Sequence, residues 1–102
     1  MSLVETLDEL KKALDKKGID RKQFIEKIQF TMDKAMSLKI MISGLDMYND
    51  VLELLTLQVA DGDRIIADPL KRLIKTYDAI MEELDEKNRQ YVKELVFQYL
   101  LK

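Results

Sequence analysis

The 102-residue chain has no cysteine, no histidine and no tryptophan. Without cysteine there is no disulfide framework, no thiolate metal site and no thiol nucleophile. Without histidine the commonest general base and the commonest metal ligand are both missing, and with them every triad built on imidazole. What remains for chemistry is carboxylate, amine, phenol and hydroxyl. Backbone punctuation is equally sparse, at three Gly and one Pro. Long apolar runs are lacking too. Charge-free stretches such as Ile40 to Leu45 reach only six or seven residues, against about twenty for a membrane span. Glu5, Asp8 and Glu9 occupy the place where a signal peptide would need its apolar run, so a cytoplasmic protein with no membrane partner is expected. Seventeen basic against nineteen acidic side chains give no overall field to attract nucleic acid or lipid.

What is present is helix-forming: Leu, Lys, Glu, Met and Ile in abundance, 47% hydrophobic and 35% charged, the composition of one all-α domain spanning residues 1–102. Ser2 and Glu5 form a capping box that opens a first helix with the stripe Leu3, Leu7, Leu10, Leu14. Lys16 and Lys17 suit its negative end, and Gly18 its left-handed stop. Asp20 with Gln23 makes a second box, and Ile19 and Phe24 can form the staple around it. The helix that follows is expected to run to Ser43, before Gly44. At about 100° per residue, Phe24, Ile25, Ile28, Met32, Ala35, Met36 and Ile42 share one face. Phe30, Leu38, Met41 and Leu45 lie off it. A helix apolar on both sides is either central or meets a second subunit. Lys39 falls within the main apolar face. Its stem is expected on the core, with the ammonium in water or on a carboxylate; a catalytic lysine of depressed pKa is the sharper alternative.

Asp46 is read as the cap of a third helix, Met47 to Ala60, stopped by Asp61-Gly62. Asp68-Pro69 is read as the start of the last helix, with Ile65 and Ile66 plugging the core from a short turn. From Leu70 through Leu73, Ile74, Tyr77, Ile80, Met81, Leu84, Tyr91, Val92 and Leu95 to Tyr99 the apolar stripe keeps its phase. One unbroken helix of some 33 residues would measure about 50 Å, while helices of about 15 residues reach only about 22 Å. Either the chain breaks near Asn88 and folds back, or its end packs on another chain. Phe97, Leu100 and Leu101 point off the stripe and favour the second option, in which Asn88 would fix register in an apolar seam. The expected fold is an antiparallel bundle of four helices with a long C-terminal helix, or of five if the chain breaks.

Three function classes compete. The first is a non-enzymatic interaction module, an adaptor or regulator without cofactor. It would self-associate as a homodimer, or bind another protein, through Tyr91, Phe97, Tyr99, Leu100 and Leu101, with Phe30, Leu38 and Met41 as the next exposed apolar contacts. A groove lined by Met32, Met36, Met41 and Met47 is a variant of this reading. Charge supports docking between elements, in cis or between chains: residues 1–44 carry nine basic and seven acidic side chains, residues 45–86 four and eleven, residues 87–102 four and one.

The second class is a nucleic-acid binder. Lys16, Lys17, Arg21 and Lys22 bracket the Gly18 turn, and residues 11–28 have the outline of a helix-turn-helix. Against it, Lys17 stands where an apolar residue belongs, and Phe24, Ile28 and Met32 look committed to a core. The third class is metal-dependent hydrolysis. Asp46, Asp50 and Glu53 recur at i, i+4, i+7, and Glu82-Glu83-x-x-Glu86 resembles half of the carboxylate pattern with which all-α nucleotide pyrophosphohydrolases of the MazG kind hold Mg²⁺. That resemblance implies a following Glu-x-x-Asp. Here only Glu94 is available, with Phe97 where the Asp belongs. A ferritin-type site needs Glu-x-x-His and is excluded. Asp61-Gly-Asp63 lacks the twelfth-position Glu of an EF-hand.

Overall fold

A computed structural model describes residues 2–102 and places them in five helices. They are α1 (Leu3–Lys17), α2 (Arg21–Met41), α3 (Leu45–Val59), α4 (Arg64–Glu82) and α5 (Glu86–Leu101). The first two begin where the capping boxes place them. The Ser2 hydroxyl accepts the Glu5 amide, and the Asp20 carboxylate accepts the Gln23 amide at 3.0 Å. Gly18 closes α1 in the left-handed conformation, φ +67°, so that its N–H reaches carbonyls of the last turn. Two starts differ from expectation. Helix α3 begins at Leu45 behind Gly44, and Asp46 sits inside its first turn without capping it. Helix α4 begins at Arg64, capped by the Asp63 carboxylate accepting the Ile65 amide at 2.9 Å. Pro69 therefore lies within α4, where it removes the donor that would have met the Ile65 carbonyl. Burial of Ile66 and Ala67 against the core explains the earlier start. Those residues need helical phase, and the Asp63 cap supplies it.

The long C-terminal stripe breaks, three residues before Asn88. Glu83 and Leu84 close the last turn of α4, and the Asp85 carboxylate accepts the Asn88 amide at 2.9 Å to open α5. Arg89 fixes the turn from the far side by donating from Nε to the Met81 carbonyl at 2.9 Å, a carbonyl that also accepts the Leu84 amide at 3.3 Å. Asn88 itself is exposed in the first turn of α5. The molecule's greatest extent is 37 Å, less than the roughly 50 Å an unbroken helix would require.

The break resets the helical phase. Val96, Phe97 and Leu100 face the core of their own chain, while Tyr91 and Leu95, on the uninterrupted stripe, face outward. Phe97 and Leu100 are thus core residues and not interface residues: they point off the stripe because the stripe ends at Leu84.

Helix α4 is the central element. Ile66, Leu70, Leu73, Ile74 and Met81 are all buried on it, and it packs against α1, α2 and α3. Helix α2 packs on α3, α4 and α5 with one side only, through Phe24, Ile25, Ile28, Met32 and Ala35. Helix α1 packs mainly on α4 and α5, and the basic Gly18 turn joins it to α2.

If α5 closes the core in cis, Leu100→Ala costs about 2–5 kcal/mol, whereas truncating its exposed neighbour Leu101 costs less than about 1 kcal/mol. Urea unfolding of the two variants checks this; equal losses would show that α5 docks by another face.

Candidate functional site

Polar chemistry gathers in one place, beneath the turn that joins α2 to α3. Asp78 projects from the buried face of α4 and is 1% exposed. The Tyr48 hydroxyl of α3 donates to its Oδ2, while its Oδ1 has no partner. Asn49 Oδ1, on the next residue of α3, is also buried and unpartnered. Lys39 reaches over from α2, its Nζ 5.8 Å from the centroid of the Tyr48 ring and 2.6 Å from a Glu82 oxygen. That arrangement is the one expected for a lysine whose stem lies on the core. With Leu45 and Lys75, Lys39, Tyr48, Asn49 and Asp78 line a cavity of about 230 Å³.

Burial pushes the Asp78 carboxyl above the usual carboxylate range, against the opposing pull of the Tyr48 hydrogen bond and the Lys39 charge. Burial also raises the Tyr48 phenol, and the adjoining Asp78 raises it further. A carboxyl that resists ionisation beside a phenol that resists it more strongly is a poor acid–base couple at neutral pH. It is a good structural tie between α3 and α4. Sequence reading passed over Asp78 because an aspartate next to a stripe residue, Tyr77, looks like the start of the polar face. Its i+4 spacing from Ile74 and i−3 spacing from Met81 was the available signal.

The other carboxylates are spoken for or dispersed. Glu53 is held below the usual carboxylate range by Arg64 at 2.7 Å and Lys71 at 3.4 Å. Glu82 ends α4, Glu83 caps it, and Glu86 lies beyond the break in α5, so the half-motif is divided between two helices. Among the described residues no three carboxylates come together in a way that could hold a metal ion. The basic turn is partly neutralised. Arg21 makes a bidentate pair with Asp15, its Nη2 2.8 Å from Oδ2, and Lys17 pairs with Asp63 at 3.2 Å. Lys16 and Lys22 stay exposed. Charged blocks do dock in cis: Lys17, Lys27 and Lys39 pair with Asp63, Asp61 and Glu82 of the acidic middle segment.

Of the residues read as contact surface, Phe30 and Met41 are strongly exposed and Leu38 is half-buried. Tyr91 and Leu101 are exposed. Tyr99 lies half-buried against α1, donating to Asp8 Oδ1 at 2.6 Å, with Lys11 over its ring. It also lines an apolar groove of about 390 Å³ between α1 and α5, together with Val4, Leu7, Val92 and Leu95. Of the four methionines proposed for a groove, Met32 is sealed in the core, Met36 packs against it, and Met41 and Met47 are exposed. Phe30, Ile40, Met41, Met47 and Leu54, each 59–82% exposed, all belong to α2 and α3. Among the described residues no helix is long and apolar enough to cross a membrane. No protein-family model, curated protein or solved structure matches the chain.

Because the folded chain holds Asp78 above its unfolded pKa, its contribution to stability is complete below about pH 4 and is lost as pH rises through the raised value. Asp78→Asn removes that titration. The stability of the unmodified chain relative to this variant should therefore fall as pH rises above about 4 in urea titrations; a pH-independent difference would contradict it. Tyr48→Phe should cost about 1–3 kcal/mol by stranding the second carboxyl oxygen, and should steepen the same pH dependence.

Proposed function

We propose that this chain is a non-enzymatic interaction module, an adaptor or regulator, that works as a homodimer. The observation that carries the reading is the two-sided apolar character of α2. Such a helix is central or meets another subunit, and the central position belongs to α4. Phe30 and Met41 lie opposite the buried face of α2, eleven residues apart and hence on one side. Met47 and Leu54, seven apart, likewise lie opposite the buried face of α3, which is made by Tyr48, Leu52 and Thr56. Covering each such side chain is worth about 1.5–3 kcal/mol, and a monomer forgoes all of it.

The contact surface therefore moves from the C-terminal helix, whose Phe97 and Leu100 are occupied in cis, to the outer side of α2 and α3. Of the residues first read as interface, Phe30 and Met41 remain central to it. The closed Tyr48–Asp78 tie suits a structural role over a catalytic one.

Sedimentation equilibrium tests the reading. A 12.0 kDa chain should show twice that mass at micromolar concentration. Phe30→Glu or Met41→Glu should give a monomer whose helical circular dichroism is unchanged, because neither side chain enters the core. A wild-type chain still monomeric at several hundred micromolar would overturn it.

A further inference from the structure

The geometry points to a specific dimer, in which a two-fold axis running along the groove between α2 and α3 lays α2 of one protomer against α3 of its partner. This inference rests on the self-association proposed above and specifies its mode. At about 100° per residue, the outermost stripe of α2 reads Phe30, Lys34, Met41 and that of α3 reads Met47, Asp50, Leu54. Each stripe is two apolar side chains around one charge, and the two charges are opposite. Among the described residues Lys34 and Asp50 make no ion pair, although most neighbouring charges on these helices do: Arg21, Lys27, Asp33, Lys39 and Glu53 are all paired in cis.

Chain geometry sets the level of these residues. Helices α2 and α3 are in contact and joined by three residues, so they run antiparallel about a turn centred on Ser43. Lys34 lies nine residues before that centre and Asp50 seven after it, a difference in height of about 3 Å at 1.5 Å per residue. Phe30 and Leu54, thirteen before and eleven after, differ by the same amount. A two-fold axis parallel to the helices preserves height and exchanges sides. The same offset of about 3 Å separates both pairs and is small enough for the long Lys34 and Phe30 side chains to span, so Lys34 meets the partner's Asp50 and Phe30 the partner's Leu54 without any shift along the axis. Symmetry repeats both contacts, as an isologous interface requires. Met41 falls over the turn of the other copy, where Leu45 is exposed. The five outward side chains offer on the order of 600 Å² of apolar surface, most of the roughly 800 Å² that one partner contributes to a standard interface.

Charge reversal tests the arrangement. Lys34→Glu and Asp50→Lys should each raise the dimer dissociation constant at least tenfold in sedimentation equilibrium, because each sets like charges face to face twice per dimer. The double reversal should return it to within about threefold of wild type. Both positions are exposed and unpaired in cis, so unfolding does not confound the result; melting curves of the single variants at low concentration should overlay the wild type. A wild-type monomer overturns this inference together with self-association. A wild-type dimer indifferent to both reversals, or a double variant no better than the singles, overturns the arrangement alone and leaves self-association standing. Leu95→Lys would then yield a monomer if the groove between α1 and α5 is the contact instead.

Discussion

The burial of α4 is the constraint on which the other elements depend. Its apolar face is wide enough to receive α1, α3 and part of α2 at once, and nearly every large side chain on that face is out of water. At about 25 cal/mol per Å² this surface contributes to folding together with the faces that α1, α2, α3 and α5 turn towards it. A helix that central cannot also be long. Were it to continue past Leu84, its second half would leave the globule and carry its apolar residues into solvent. The Asp85 cap and the Arg89 hydrogen bond to the Met81 carbonyl end it where its neighbours end. The returning α5 then covers the space between α1 and α2 with Val96, Phe97 and Leu100.

That arrangement also decides what is left outside. Once α4 holds the centre, α2 has neighbours on one side only, and the apolar residues on its other side have nothing in the chain to cover them. The same holds for the outer side of α3, which touches only α2 and α4 to any extent. Beneath the turn that joins them, Asp78 is kept from water and tied to Tyr48. The pair trades an unfavourable desolvation for a defined hydrogen bond between α3 and α4. It thereby fixes the relative setting of the helices that carry the proposed contact surface.

Much of the secondary structure was legible residue by residue, because caps are local. Ser2, Asp20 and Gly18 act through atoms three or four positions away, and a sequence displays those spacings directly. Where two local signals competed, reading along the chain failed. Asp63 and Asp68 both resemble caps, and only the demand that Ile66 and Ala67 be buried selects the first. The C-terminal stripe failed for a related reason. Read as one helix, the apolar residues on either side of the break fall in step, so the sequence pattern does not reveal that the three-residue break resets the phase. Phe97 and Leu100, read as surplus apolar surface, proved to be the residues that dock α5.

The sequence alone determined that the chemistry is not imidazole or thiol chemistry, that the chain is helical, and where α1 and α2 begin. It also showed that α2 is apolar on two sides. These are properties of composition and of contacts within one or two helical turns. Only the tertiary structure decided which helix is central, that the last stripe is two helices, and that Asp78 is buried with Tyr48 for company. Each of those outcomes depends on burial against residues far away in the chain, and periodicity says that a face will be buried without saying against what.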